Sequence, residues 1–576
     1  MNILGINEAL GASAAILKDG EIVAASLEER FTRIKNYWGY PKKAINFCCD
    51  YAGIKPDKMD LVVLSYTDPY PHFTINRAQE TKSATPKFLT RLRDVAPQLE
   101  YRFPFINPIT DLGRLIYYNY FAQINERLQA QAIAGFLNIS PDKIIRANHH
   151  LIHAYTAYYS NPYKSNPTLV LTCDGAGDKL CATIYQVING KFNLLAKSLH
   201  LHSLGLFYAA VTAFLGLNAH EDEYKVMGLA PYAKTGTWHD IYSMFKQLIW
   251  VDRLEFKSKI PSRHFDFFLN ENLRRVRFDY IAAAAQQFFE DTLLTWIKNA
   301  VNQTRVRNVV VAGGVFLNVK ANQKITKLKE IKTVYFTPSP GDDTNAFGAC
   351  YFGYKQLQPK FIPKPLAHLY LGPEFTQIEI KEILKKYKEY RVTNPENINK
   401  TVAELLATGK IVARFAGRME FGARALGNRS ILADPRRLEV KHTINHMIKM
   451  RDFWMPFAPS ILSEDATRYL LNPKKIAAPY MTLAFETTSQ GQKDLAAAVH
   501  TFDKTVRPQI LDNIANPAYY ELIQEFKKMT GVGALLNTSF NIHGEPIVCS
   551  PQDALSTFKI SGLTFLQLEN VLISKQ

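Results

Sequence analysis

Cysteine is scarce. Six occur in 576 residues (Cys48, Cys49, Cys173, Cys181, Cys350 and Cys549), with no CxxC pair and no framework spacing. That excludes a disulfide-stapled scaffold, fits a reducing cytosol and leads us to expect a cytoplasmic protein. No apolar run reaches the ~18 residues of a membrane span, and the N-terminus lacks the charged-then-apolar layout of a signal peptide. Low-complexity tracts and repeat arrays are missing too, and glycine and proline contents are ordinary.

What remains is a globular composition, 47% hydrophobic and 21% charged, in a chain too long for one core. The formal charge of +17 implies anionic partners. The basic residues are spread along the chain, often singly inside motifs. This favours small phosphorylated substrates over nucleic acid.

Residues 2–26 read as strand, turn, strand, turn, strand: ILGIN, SAAILK, the Asp19-Gly20 hairpin turn, then EIVAAS. The plan recurs from Thr168 as TLVLT, a Gly-rich turn, LCATIYQVI, the Asn189-Gly190 hairpin turn and KFNLLAK. The offset is roughly 165 residues. Two similar lobes with a ligand cleft between them are expected, an architecture that resembles the actin-like, hexokinase-like ATP-binding class. Region 70–135 should form helices and loops peripheral to the first lobe, and Ile281 to Val301 a long helix. NVVVAGGVFLNV reads as a buried strand whose Gly313-Gly314 gives close backbone approach and opens a helix. Four prolines without helical period in residues 355–375 mark a linker. The expected domains are therefore 1–358 and 359–576.

The chemistry centres on Asn148 to Asp178, NHHLIHAYTAYYSNPYKSNPTLVLTCDGAGD. His149 and His153 are four apart in a helical segment, so both imidazoles project from one face and suit one metal ion. The apolar run TLVLT then ends in Cys-Asp-Gly-Ala-Gly-Asp, where glycines let backbone amides approach a phosphate while Asp174 faces a metal. His150 points elsewhere and is expected to pack in the core. In the second domain, Arg414, Arg418, Arg424, Arg429 and Arg436 alternate with Gly, Phe, Leu and Ala. Lys449, Arg451 and Arg507 follow, and LLNTSFNIHGEP adds Asn537, Ser539 and Asn541. Planar guanidinium forks with amide and hydroxyl groups make a site for a small, highly charged oxyanion.

Seven segments, NHHLIHA, TCDGAG, EYKVMGLAPY, AGGVFLN, GDDTNAFGA, GRMEFGARALGNRSIL and NTSFNIHGEPIV, resemble in order those of the nodulation-type and antibiotic-type O-carbamoyltransferases. The resemblance spans nearly the whole chain. It implies an α/β protein with an actin/hexokinase-like, two-lobed ATP-binding domain similar to tRNA threonylcarbamoyl transferases. A smaller α/β domain similar to threonylcarbamoyl-adenylate synthases (YrdC-like) would follow. It also implies the reaction: carbamoyl phosphate is cleaved to phosphate and carbamate, carbamate attacks ATP to give carbamoyl-adenylate and pyrophosphate, and an acceptor hydroxyl takes the carbamoyl group and releases AMP. The acceptor would be a small hydroxylated secondary metabolite, and the protein a homodimer.

On this basis the metal set is His149, His153, Asp342 and Asp174. Mixed nitrogen and oxygen ligands with open positions permit iron, zinc or manganese; the resemblance favours Fe2+, with Mg2+ accompanying ATP. Nucleotide contacts are assigned to Gly175, Gly177, Lys225, Gly313, Gly314 and Asn318. Carbamoyl phosphate contacts are assigned to Arg418, Arg424, Arg429, Lys449, Arg451, Arg507, Ser539 and Asn541, some of these cations being salt-bridged instead to Glu420 or Asp452. Lys35, Arg424 and Lys449 are the catalytic candidates, Lys35 matching a family basic position that would orient the acceptor or carbamoyl oxygen. Family members carry a His-Asp pair after the first strand, a natural base for the acceptor. Here that position reads Leu10-Gly11, followed by Ala12-Ser13, and Glu8 is the substitute considered. Alternatives are a tRNA-directed relative, a nucleotide-binding relative impaired in transfer, and a sugar kinase, which would leave the second domain without a role.

Overall fold

The computed structural model describes residues 1–67, 96–163, 165–234, 236–449, 452 and 454–575, and of these not the side chains of 115, 117–125, 447 and 449. The fold is mixed α/β, and the chain separates by packing into two units. The first comprises Met1–Glu28 and Asn36–Leu366, the second Glu29–Lys35 and Ala367–Gln576. Among the described residues no helix is long and apolar enough to cross a membrane.

The first unit contains two five-stranded sheets of one topology. One holds β1 (Asn2–Asn7), β2 (Ser13–Lys18), β3 (Glu21–Leu27), β4 (Leu61–Leu64) and β5 (Ile144–Arg146), in the order β3-β2-β1-β4-β5. The other holds β6 (Thr168–Gly177), β7 (Leu180–Ile188), β8 (Lys191–Leu199), β9 (Asn308–Ala312) and β10 (Thr333–Phe336), in the order β8-β7-β6-β9-β10. In both sheets three antiparallel strands are extended by two parallel ones. The second hairpin of each turns on two residues with positive φ, Asp19-Gly20 (50° and 86°) and Asn189-Gly190 (51° and 77°). That conformation matches the right-handed strand twist and selects Asp, Asn and Gly. The repeated turn signals correspond to two sheets of one topology within this single unit.

Helix α1 spans Asn107–Leu137 and ends on Asn138 in the left-handed conformation. Helix α2 (His149–Ser160) starts at Asn148, whose side chain accepts the Leu151 amide at 3.2 Å. The expected long helix is α3 (Phe278–Thr304). After β9 the chain does not continue as a strand through VFLNV: Gly314–Leu317 is a single 3-10 turn and α4 spans Val319–Thr326. The reason is local, because Asn318 Oδ1 accepts the Ala321 amide (3.0 Å) and starts the helix there. Helix α5 (Asn345–Leu357) follows a short turn at Asp342–Thr344.

The second unit is built on an eight-stranded mixed sheet. Its strands are β11 (Arg391–Thr393), β12 (Val412–Phe415), β13 (Arg429–Ala433), β14 (Ala458–Leu462), β15 (Gln509–Leu511), β16 (Ala534–Ser539), β17 (Phe565–Leu568) and β18 (Val571–Ser574), in the order β11-β18-β17-β12-β13-β16-β14-β15. Alternation along the strands gives the sheet two unlike faces. Phe415, Ile431, Leu536 and Leu568 belong to a buried apolar cluster. The opposite residues Arg414, Ser430, Ser460, Gln509, Asn537 and Gln567 are also buried, but polar.

Candidate metal and anion sites

In the first unit the two imidazoles on α2 meet two carboxylates. Nε2 of His149 lies 3.1 Å from Asp174 Oδ2 and 3.5 Å from Asp342 Oδ1; Nε2 of His153 lies 3.5 Å and 3.2 Å from the same two oxygens. One ligand atom from each residue falls within 4.8 Å of all the others. Both histidines are fully buried.

Each acid has one oxygen held by the protein and one turned toward the imidazoles. Asp174 Oδ1 accepts the amides of Gly175 (2.8 Å) and Gly314 (3.1 Å), leaving Oδ2 for the histidines. Asp342 Oδ2 accepts the Tyr66 hydroxyl (3.0 Å), leaving Oδ1. The Tyr66 ring also packs on His149 at 4.5 Å. Asp178, at the end of the same glycine motif, accepts the His149 amide (2.7 Å) and the Thr67 amide (3.0 Å) and so fixes the start of α2. Two glycines are obligatory here. A Cβ on Gly177 would come 2.1 Å from the His149 ring, and Gly313 combines φ of 106° with a Cβ position 2.1 Å from the Cys173 carbonyl oxygen.

The four groups bias one another's protonation. Burial opposes the charged form of His153, but the carboxylates of Asp174 and Asp342 outweigh it and raise the imidazole to about 9. Asp174 is held well below the usual range: burial opposes this, and its bonds to both histidines win. Asp342 is raised, first by burial and then by the charge of Asp174. Two imidazole nitrogens and two carboxylate oxygens, the acids each held by a donor on the other oxygen, fit a divalent ion of borderline softness. His150 faces away, with Nδ1 2.8 Å from Thr172 Oγ1, and burial lowers it to about 3.

The other residues singled out in this unit are placed as follows. Gly175 and Gly314 hold Asp174 through their amides, Gly177 lies against the His149 ring and Gly313 against the Cys173 backbone. Lys225 pairs with Asp222 at 3.2 Å. The Asn318 side chain is committed to its helix cap and to reciprocal 3.0 Å bonds with Gln286. Leu10 is 37% exposed and bridges to Trp38. Glu8 is buried, accepts from Gln129 Nε2 at 2.6 Å and lies 3.7 Å from Arg146; burial raises its carboxyl.

In the second unit Arg418, Arg424 and Arg429 lie on the loop from β12 to β13. This loop is held almost wholly through its backbone. Glu420 Oε1 accepts the amides of Leu426, Asn428 and Arg429 (2.6, 3.3 and 3.2 Å). Tyr370 donates to the Leu426 carbonyl and Asn537 to that of Ala425. Arg429 is fully buried, donating to the carbonyls of Ala416, Gly417, Asn428 and Pro373, with its guanidinium 3.5 Å from the Phe415 ring centroid. Its placement is that of a residue holding the loop. Arg418 donates to the carbonyls of Leu371 and Gly372, while Arg424 is half-buried. No Glu420–arginine ion pair occurs among the described residues; the acid holds amides instead. Ser539 pairs in register with Ser430 and donates to Asn541 Oδ1 at 2.6 Å. Arg507 stands two residues before β15. Arg451 and the Lys449 side chain lie outside the described residues. Lys35 ends the Glu29–Lys35 segment, which belongs to this unit. There Arg30 donates to the Gly422 carbonyl (2.7 Å), Arg33 to those of Ile547 and Pro546 (2.7 and 2.8 Å), and Phe31 packs on Met419, Ile547 and Cys549.

Tyr66, Asp178 and Asn345 (described below) have positions that sequence reasoning did not assign, and Glu420, expected to pair with a cation, holds backbone amides. Asp178 and Asn345 stand inside the quoted motifs, whereas Tyr66 follows an ordinary buried strand.

Comparison with known proteins accords with this division. Residues 2–351 match the family described as carbamoyltransferase N-terminus, and residues 403–575 the carbamoyltransferase C-terminus. An uncharacterised protein of Synechocystis is 31% identical over all of this chain and 97% of its own length. Nodulation protein NolNO of Sinorhizobium fredii is 29% identical over 98% of this chain and 79% of its own. The solved structure of T. kodakarensis HypF covers 62% of this chain and 48% of its own at 11% identity; its TM-score of 0.33 is too low to bear on the fold. The chain belongs to the carbamoyltransferase family.

Proposed function

We propose that the protein is an ATP-dependent O-carbamoyltransferase that makes carbamoyl-adenylate from carbamoyl phosphate and ATP and passes the carbamoyl group to a hydroxyl of a small metabolite. The observation that carries this reading is the convergence of His149, His153, Asp174 and Asp342 within 4.8 Å. A divalent ion there, iron by the family resemblance, would hold nucleotide phosphates and offset charge at the α-phosphate. Around it the turns at Gly175, Gly177, Gly313 and Gly314 bring backbone close without side chains, the Gly175 and Gly314 amides holding Asp174, and the two repeated sheets support an actin-like nucleotide fold.

In the second unit the backbone-pinned loop presents Arg424, with Ser539 and Asn541 near its end, for carbamoyl phosphate. Hydrolysis by one water breaks the carbamoyl–phosphate anhydride bond and gives phosphate and carbamate. The carbamate oxygen then displaces pyrophosphate from the α-phosphate of ATP, and the acceptor oxygen displaces AMP from the carbonyl carbon. Carbamate is short-lived in water, so this route needs passage shielded from solvent. The nodulation proteins among the relatives support a small-molecule acceptor.

A second reading, adenylate formation without transfer, draws on Leu10 at the family's histidine position. Glu8, buried under Gln129 and Arg146, is poorly placed to replace that base.

The test is pyrophosphate release by iron-loaded protein given ATP, magnesium and carbamoyl phosphate without acceptor, beside an Arg424→Ala variant. Carbamoyl-phosphate-dependent release that the variant loses is the expected result. No release from either, with nucleotide bound, would remove the adenylation route.

A further inference from the structure

Asn345, the first residue of α5, is fully buried behind the histidine pair. Its Nδ2 lies 3.3 Å from His149 Nδ1 and 3.4 Å from His153 Nε2, while its Oδ1 is buried without a hydrogen-bond partner. This arrangement suits one histidine tautomer only. With the proton of His149 on Nε2, that nitrogen donates to Asp174 and Nδ1 accepts from Asn345.

A cation among the four ligands requires the opposite. Nε2 must turn its lone pair inward, so the proton of the neutral ring moves to Nδ1. Nδ1–H then needs an acceptor, and the ring is sealed from water. The polar side chain within reach is Asn345, whose amide oxygen and nitrogen exchange places on a half-turn about Cβ–Cγ. After that half-turn Oδ1 faces Nδ1–H, and the acceptor that now lacks a partner gains one.

We propose that Asn345 is a positioning residue of the metal site, its carboxamide reversing to accept from His149 Nδ1–H and so fixing the tautomer whose Nε2 binds the ion. The inference rests on the metal-site reading above. It also explains the residue type. Asparagine serves both tautomers, whereas leucine, close in size, serves neither and aspartate serves only the metal-bound one.

The experiment is Zn2+ affinity of the full-length, chelator-stripped protein, measured by competition with a chromophoric chelator, for wild type, Asn345→Leu and Asn345→Asp, with circular dichroism and thermal melting alongside. Expected are a loss of about tenfold or more in the Leu variant, the scale of losing a partner behind a metal-binding histidine, and wild-type or tighter binding in the Asp variant. A folded Leu variant binding within about twofold of wild type overturns the proposal, as does an Asp variant as weak as the tenfold-impaired level. The Asp result decides the matter if the Leu variant does not fold. Wild type that takes up no Zn2+, Fe2+ or Mn2+ would instead overturn the metal-site reading itself.

Discussion

Asp174 and Asp342 are oriented by different means to the same end, one by two backbone amides and the other by a phenol. The phenol can be removed without touching a ligand. Tyr66→Phe should weaken Zn2+ binding by about tenfold, read by the same chelator competition; unchanged affinity would mean that the hydroxyl does not orient Asp342. Gly177→Ala is a harsher change, because its methyl must displace the His149 ring. We expect a loss of metal binding together with a destabilisation of about 1–3 kcal/mol, the usual scale of overpacking, seen in thermal melts. At this scale the sequence was readable where chemistry repeats a pattern. The i, i+4 histidines and an acid ahead of two glycines at a strand end announce themselves. Tyr66 does not, since nothing separates it from any tyrosine after a buried strand. Arg429 was readable only as a cation: that its guanidinium holds four carbonyls instead of facing outward depends on a loop conformation no spacing reveals.

At the scale of elements, the paired turns Asp19-Gly20 and Asn189-Gly190 gave away the repeated sheets because each demands positive φ at both positions. The attachment of helix α1 carried no such signal. It depends on Glu100, a fully buried acid in the helical residues 96–102, bonded to Arg114 of α1 and to Arg263 (2.8 Å), with His264 at 3.4 Å. Burial would raise this carboxyl, but the hydrogen bonds from Arg114, Thr110 and Arg263 prevail and lower it to about 2. A depressed acid stabilises the fold fully above its unfolded value of 4.5 and loses that contribution as the pH falls from there toward 2. Hydrogen-exchange protection in α1 should therefore drop selectively as the pH falls from about 4.5 toward 2, and Glu100→Gln should show the same loosening at neutral pH. Protection unaltered by pH or by the variant would show that other contacts hold the helix.

At the scale of the whole molecule, the second unit is not a contiguous stretch of sequence. Glu29–Lys35 leaves the first unit after β3, contributes Arg30, Phe31 and Arg33, and returns. In the sequence EERFTRIK carries no signal of this docking, since its partners lie hundreds of residues away and no local periodicity points to them. A fragment 367–576 would lack this segment and expose Met419, Ile547 and Cys549. Expressed alone, it should bind a hydrophobic dye and aggregate, whereas the full chain should not. A fragment that is monomeric and dye-silent would mean that Phe31 covers nothing of consequence.

The same excursion bears on the order of events during synthesis. Arg30 and its partner Gly422 are separated by 392 residues, and Arg33 and Ile547 by 514. Domains generally fold from the N-terminus as the ribosome proceeds. The first unit can therefore complete both of its sheets while residues 29–35 still have nothing to dock on. Their seat exists only once nearly the whole chain has emerged, so the anchoring of this early segment, and with it the Arg30 hold on the arginine loop, belongs among the last steps of maturation.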